Sequence, residues 1–181
     1  MSRATRIGCL AFVAGASTGA GIASAATRGE HRVVFPHRIG AYEIGGTYRE
    51  AVVAFGRPSA FRRRYGGICE LTWTKQGLRL YFRNVYTSPC THRGLTRARF
   101  TEAKILSPRW SVDRGVRVGD SWSRIQQVYS ITVPPGASPD RGGITLAEAP
   151  VRYPGTTTMR LLDLDALFRN ERVALFDISY T

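Results

Sequence analysis

The residues best suited to bind a partner are arginines that lie close to tyrosines along the chain. Guanidinium groups bind phosphate and carboxylate through paired hydrogen bonds and stack on aromatic rings, so such clusters predict a surface for an anionic partner. The alternative is that these arginines reflect amino-acid composition, because the chain has 24 Arg and only 2 Lys. The arginine side chains would then only be solvated. The candidate binding residues are Arg57, Arg62, Arg63, Arg64 and Tyr65, in a loop after the first predicted helix, and Arg79, Tyr81 and Arg83, on the polar face of a predicted sheet.

Aspartates offer a second possible chemistry, because two carboxylates held across a cleft can act as acid and base in hydrolysis. Asp163 and Asp165 lie two residues apart on one predicted strand, on the same face and about 7 Å apart. With Asp177 they would form an acidic patch. A solvent-facing strand edge is the simpler interpretation of these three residues.

Histidines give no sign of catalysis or of metal binding. His31, His37 and His92 lie in predicted loops, and the sequence contains no serine-centred motif of the hydrolases. Zinc, calcium, phosphate-loop and dinucleotide motifs are also missing from the sequence. We therefore predict a non-catalytic protein without a cofactor, and a small secreted enzyme is the third alternative after the two binding functions given below.

Residues 1–25 have the organisation of a secretory signal peptide. Two early arginines precede an uncharged small-residue run over residues 8–22, and Ala-Ser-Ala at residues 23–25 is a cleavage sequence. The run is shorter than the ~20 strongly apolar residues of a spanning helix, so an uncleaved anchor is the less favoured alternative. No later segment is apolar enough to span a bilayer. We predict a secreted or cell-envelope-associated protein.

Export changes what the cysteines and the net charge of the chain imply. Cleavage removes Cys9 and leaves Cys69 and Cys90, which we expect to pair in an oxidising compartment, with two free thiols as the alternative. A disulfide closing this loop would contribute about 3 kcal/mol. Cleavage also removes two arginines, which leaves 24 Lys and Arg against 13 Asp and Glu, a net charge of +11 instead of +13. Outside the cytoplasm, nucleic acid is not the expected partner of such a charge.

An internal repeat organises the 181-residue chain. Residues 42–58 and 116–132 share the pattern apolar, Gly, any residue, Ser or Thr, aromatic, and then apolar residues at helical spacing. The pattern predicts a glycine turn, an N-cap hydroxyl and a short amphipathic helix. The matched residues, 74 positions apart, are Ile44 with Val118, Gly45 with Gly119, Thr47 with Ser121, Tyr48 with Trp122, Ala51 with Ile125 and Phe55 with Tyr129.

Strand patterns follow each predicted helix. In the first half, residues 68–74 and 78–84 alternate, and a two-residue turn at Gln76-Gly77 would pair Leu71 with Phe82. A third strand over 95–105 has an irregularity at 101–103 that indicates a bulge. The second half predicts strands near 143–152, 157–168 and 172–180, with a hairpin tip at Asn170-Glu171 and apolar residues on both faces.

The two helix starts, Ile44-Gly45-Gly46-Thr47 and Val118-Gly119-Asp120-Ser121, resemble the β-lactamase inhibitory protein family and the small lipoprotein of the outer-membrane β-barrel assembly machinery. The resemblance covers roughly residues 40–181. Gly46 and Asp120 replace the methionine of the family motif, and only the first half has cysteines. The resemblance implies a non-catalytic, exported scaffold whose sheet and loops bind a protein.

The prediction is therefore an α+β fold of two tandem repeats, each a short helical segment followed by an antiparallel β-meander, with one disulfide. The predicted boundaries are a signal peptide over 1–25, an extended or poorly ordered N-terminal lead over 26–39, and repeats over 40–106 and 107–181. The predicted function is binding of another protein through the polar sheet face, with exposed aromatics such as Tyr81, and through the basic loops. Binding of anionic cell-envelope components is the alternative.

Overall fold

The computed structural model describes residues 31–84, 89–131 and 141–181. The predicted signal peptide and the first part of the predicted lead lie outside the described residues. The elements are β1 (Val33–Val34), β2 (Arg38–Ile39), β3 (Tyr42–Glu43), α1 (Tyr48–Phe55), β4 (Ala60–Arg63), β5 (Ile68–Trp73), β6 (Leu78–Arg83), β7 (Arg99–Ile105), α2 (Trp122–Tyr129), β8 (Arg141–Arg152), β9 (Met159–Arg169) and β10 (Arg172–Tyr180).

Seven of the described strands form one antiparallel sheet in the order β4-β5-β6-β7-β10-β9-β8. Each half of the chain contributes a meander, and the halves join where β7 pairs with β10. One sheet face carries the core, in which aromatic and branched side chains such as Trp73, Phe82, Phe100 and Phe176 are fully buried. The predicted α+β class with antiparallel strands is confirmed for the described part of the chain.

The predicted disulfide is also confirmed. Cys69 on β5 bonds to Cys90, and their Cα atoms are 5.6 Å apart. The bond ties the segment that follows β6 to the buried side of the sheet, because Cys69 is itself buried. Closing this loop lowers the entropy of the unfolded chain.

The starts of α1 and α2 have the same backbone geometry. Gly45 and Gly119 have φ of +93° and +94°, a conformation that L side chains rarely adopt. Thr47 accepts a hydrogen bond from the Glu50 backbone, within a complete capping box, and Ser121 accepts one from Arg124. These N-caps explain why each helix begins where it does.

Each helix start is also bonded to the last strand of its own half. Before α1, the Tyr48 N–H donates to the Ala98 carbonyl and the Phe100 N–H donates to the Gly46 carbonyl. Before α2, the Trp122 N–H donates to Glu171 and the Val173 N–H donates to Asp120. The two helices therefore meet β7 and β10 through equivalent pairs of backbone hydrogen bonds.

The hairpin of β5 and β6 forms in a register two residues away from the predicted one. Trp73 pairs with Leu78, and Leu71 pairs with Leu80 rather than with Phe82, so residues 74–77 form the turn. This turn contacts a later segment, because Gln76 accepts a hydrogen bond from the Trp110 indole and Gly77 accepts one from Leu106. A shift by two leaves every side chain on its predicted face.

A bulge explains why the faces of the second half were wrongly predicted. Between β9 and β10 the register shifts after Val173, which leaves Ala174 without an opposite residue. The bulge places Phe176 and Ile178 on the buried face, where both have no exposed surface. The prediction that this half is apolar on both faces is therefore wrong. The bulge predicted at 101–103 is confirmed, because the register of β6 and β7 shifts across Thr101.

The described residues of the predicted N-terminal lead are extended and packed rather than poorly ordered. β1, β2 and β3 form a small antiparallel sheet, and Val33 and Ile39 are fully buried in the core. The Val33 N–H donates to the Ser111 carbonyl, which lies in the connection between the halves. The alternation of these short strands is too brief to be visible in the sequence, and only the long-range pairing stabilises them.

Candidate functional site

The face of the sheet opposite the core carries two rows of mainly polar side chains that run across all seven strands. We call these rows the charged face. Strands lie about 4.8 Å apart, so each row is about 29 Å long. The first row is Arg62, Glu70, Tyr81, Glu102, Ser179, Asp163 and Glu148. The second row is Ala60, Thr72, Arg79, Lys104, Asp177, Asp165 and Thr145.

The basic half of the charged face lies on β4 to β6 and consists of Arg62, Arg64, Arg79 and Arg83 around Glu70. Glu70 is only 5% exposed. Its carboxylate is ion-paired with Arg64, whose Nε lies 2.6 Å from Oε2, and Arg79 approaches to 3.8 Å. The one buried acid of this half is therefore neutralised by cations that reach it from the surface.

The centre of the charged face is a lysine shared between two acids. Lys104 Nζ lies 2.8 Å from Glu102 and 3.5 Å from Asp177, and it stands over the Tyr81 ring at 5.5 Å. Burial by itself would lower the pKa of Lys104, but the hydrogen bond to Glu102 and the charges of both acids outweigh it and raise that pKa. Burial raises the pKa of Tyr81. Both groups keep their protons at neutral pH.

The acidic half lies on β8 to β10 and consists of Asp163, Asp165, Asp177 and Glu148. Burial, with the charge of Glu102, raises the pKa of Asp177 from 3.8 to about 6. Asp165 accepts a 2.7 Å hydrogen bond from the Thr145 hydroxyl. Asp163 is 9% exposed, and its Oδ1 has no hydrogen-bond partner among the described residues.

The predicted binding residues lie in three places: the charged face, the other face of β4, and the exposed segments that follow α1 and β4. Arg62 and Arg63 do not lie in a loop but on the edge strand β4, and Arg64 directly follows that strand. Alternation in β4 puts Arg62 on the charged face, opposite Glu70, and Arg63 on the other face, opposite Cys69. The structure thus separates residues that are adjacent in the sequence.

The other predicted residues differ in exposure. Tyr65 is 99% exposed at the turn between β4 and β5, and Arg57 is exposed after α1. Arg79 and Arg83 lie on the charged face as predicted. Tyr81 does too, but it is only 7% exposed, so its ring is not the exposed aromatic contact that we predicted.

The interpretation of the aspartates as a strand edge is wrong. Asp163 and Asp165 lie on β9 and Asp177 on β10, and both strands have neighbours on each side. The i, i+2 spacing correctly placed Asp163 and Asp165 on one face. The missed residues are Glu102 and Lys104, whose acid–base alternation on β7 was the available signal.

Two of the histidines contact aromatic side chains of the fold. His92 Nδ1 is hydrogen-bonded to the Tyr48 hydroxyl at 2.7 Å, and His31 packs edge-on against Trp110. Within residues 31–84, 89–131 and 141–181, no three His, Cys, Asp or Glu side chains are grouped as metal ligands. In that same part of the chain, no helix combines the length and apolarity needed to cross a membrane.

Comparisons with known proteins leave the family open. The chain matches no protein-family model and no curated protein. It is similar to the structure of an extracellular protein containing a SCP domain from Bacillus anthracis, with 10% identity and a TM-score of 0.42, over 75% of this chain and 43% of that one. It is also similar to a DUF4309 family protein from Bacillus subtilis, with 13% identity and a TM-score of 0.41, over 81% and 86% of the two chains. The chain thus spans less than half of the first of these proteins.

Proposed function

We propose that this chain is an exported, non-catalytic protein that binds another protein through the charged face. The observation that carries the proposal is the face itself: two rows of side chains, with arginines on β4 to β6 and aspartates on β9 and β10, on a sheet whose other face is packed. Side chains on strands are held in place by the ladder, so they present a fixed charge pattern that one partner surface can match.

Export is supported by the Cys69–Cys90 disulfide, because disulfides form and persist in oxidising compartments. The signal peptide over residues 1–25 is part of the same proposal. So is the tandem repeat, with units over 40–106 and 107–181. Its support is the matched geometry of the two helix starts, where Gly45 and Gly119 share a positive φ and the hydrogen bonds to β7 and β10 correspond.

Binding to anionic components of the cell envelope is the second candidate. Arg62 and Arg83 are exposed in the basic half and belong to an unusually basic chain. Contacts of this kind release counterions, so their affinity falls steeply as salt rises. A matched protein surface would lose much less affinity.

The test is capture of partners from the envelope fraction by the full exported protein, immobilised, at 50 mM and 500 mM salt. The double variant Arg62→Ala/Arg79→Ala removes cations from the charged face. The control Arg109→Ala/Arg117→Ala removes the same charge elsewhere. We expect one protein retained at 500 mM salt by the wild type and the control, and at least tenfold less by the face variant. Equal loss from both variants, or elution of everything at 500 mM salt, overturns the proposal.

A further inference from the structure

The acidic half of the charged face differs from the rest of the molecule in its local charge. The exported chain carries an excess of cations, yet four carboxylates lie here on three adjacent strands: Asp163, Asp165, Asp177 and Glu148. The arginines on this face of the three strands lie about 13 Å along the strands from the acids: Arg152 is four residues beyond Glu148, Arg169 is four residues beyond Asp165, and Arg141 and Arg172 are opposite Arg169.

Of these four carboxylates, only that of Asp177 forms an ion pair among the described residues. Lys104 reaches Asp177 at 3.5 Å but is closer to Glu102, at 2.8 Å. Among the described residues, Asp165 has the Thr145 hydroxyl as its hydrogen-bond partner, and this group carries no charge. In the described part of the chain the Oδ1 atoms of Asp163 and Asp177 are buried without any hydrogen-bond partner.

A buried carboxylate oxygen without a partner, in a residue that is 9% exposed, is unusual because burial removes water that nothing replaces. Asp163 is flanked by Ser179 and Glu148 in its row, and neither is hydrogen-bonded to its Oδ1 in the described structure. Buried groups that lack a partner are found where a ligand supplies it. A hydrogen-bond donor with positive charge would satisfy this oxygen and offset the charge of the carboxylate together.

The apolar side chains beside Asp163 show what kind of cation fits. Leu161 precedes it on the same face of β9 and is 45% exposed, and Met159 is 58% exposed. Pro150 lies opposite Leu161 on β8. A charged group with an apolar stem would place its methylenes on these residues while its head reaches the carboxylates, as Lys and Arg side chains do. A bare metal ion would need a cage of three or more protein ligands, and none is present in the described residues.

We propose that the acidic half binds a Lys or Arg side chain of the partner protein, with the charged head against Asp163 and Asp165 and the stem across Leu161. The proposal rests on the proposed function and deepens it, because it specifies a basic anchor on the partner. Opposite the basic half, the partner would carry an acidic group. The charge order of the face therefore determines the orientation of the complex.

The test is an NMR titration of the full exported protein with the capped peptide Arg-Arg-Arg and with capped Glu-Glu-Glu. Repulsion from the net positive chain opposes binding of the first peptide, so saturable binding must be local. We expect Arg-Arg-Arg to shift backbone amides of β8, β9 and β10 and Glu-Glu-Glu to leave them unchanged. Absence of such shifts overturns the proposal, and so does saturation of the same amides by calcium chloride.

The matched variants are Asp163→Asn/Asp165→Asn in the acidic half and Glu43→Gln, an exposed carboxylate on β3. Both change shape very little. We expect the double variant to weaken Arg-Arg-Arg at least tenfold and Glu43→Gln to leave the affinity within twofold. Thermal unfolding checks that the double variant is folded, and the single variant Asp163→Asn replaces it if it is not. Equal affinity in all three proteins contradicts the proposal.

Partner capture separates this proposal from the proposed function. If the wild type retains a protein at 500 mM salt and Asp163→Asn/Asp165→Asn retains it equally, the face binds a protein but the basic anchor is wrong. If neither retains one, the proposed function fails as well.

Discussion

Each half of the charged face contains a buried acid, and the two acids differ in whether their carboxylates have a partner. On the basic half, Glu70 is 5% exposed and is ion-paired with Arg64 and Arg79. On the acidic half, Asp163 is 9% exposed, and its Oδ1 has no partner among the described residues. The buried acid of the basic half is paired within this chain, whereas the buried acid of the acidic half has no ion pair among the described residues. The substitutions below test this difference between the two halves.

Arg64→Ala makes the basic half resemble the acidic half and has the largest expected effect. It removes the closer of the two cations on Glu70 and leaves a buried carboxylate with Arg79 at 3.8 Å. We expect a loss of about 2 kcal/mol in the free energy of unfolding, below the range for fully buried pairs because Arg64 is itself 41% exposed. Urea denaturation at pH 7 measures it. Arg62→Ala is the control, and equal stability of both variants would mean that the pair is not important.

Asp177→Asn tests the acid whose pKa is raised, on β10 where the two halves of the sheet meet. The pKa of Asp177 is raised to about 6 in the folded protein from 3.8, so between pH 4 and pH 6 the folded state holds the proton more tightly than the unfolded state. The contribution of this group to stability therefore falls as pH rises through that window and stays low above it. The groups facing Asp177 are Lys104, Glu102 and Asp165.

The asparagine variant lacks that titration. We expect it to be about 1–2 kcal/mol more stable than the wild type at pH 7.5, with the difference vanishing near pH 4. Urea denaturation of both proteins from pH 4 to pH 7.5 gives the difference directly. A difference that is constant with pH would show that Asp177 titrates normally.

Asp163→Asn should stabilise the fold while it removes the cation site. An unpaired, buried carboxylate loses hydration and gains no protein partner, and an amide of the same shape loses less. We therefore expect the free energy of unfolding to rise by about 1 kcal/mol at pH 7. The gain should shrink when Arg-Arg-Arg is present, because only the wild type gains from binding. Destabilisation by this variant would mean that the carboxylate has a structural partner.

Arg62→Ala has the smallest expected effect on folding. Arg62 is exposed on the edge strand β4, and exposed cations contribute within about 0.5 kcal/mol. We expect unchanged unfolding in urea together with weaker capture of the partner. A clear loss of stability would instead assign Arg62 to the ion-pair network of Glu70.

Local sequence patterns predicted the elements better than their arrangement. The alternation in residues 68–84 gave the correct faces, because the side-chain period of a strand is two whatever the register. The register itself depended on the contacts of the Gln76-Gly77 turn with Leu106 and Trp110, which are about 30 residues further along. Sequence adjacency of Arg62 and Arg63 suggested one cluster, but the strand divides them between two faces.

The sequence by itself determined the strands from β5 to β10, the two helix starts at Gly45 and Gly119, the disulfide and the excess of arginine, since each depends on neighbouring residues or on residue type. The tertiary structure alone decided that β7 lies beside β10 and that a bulge at Ala174 turns Asp177 toward Lys104. Pairing of distant strands depends on how the whole core packs, and no local pattern encodes it. The charge order of the face, and with it the unpartnered Asp163, follows from that pairing.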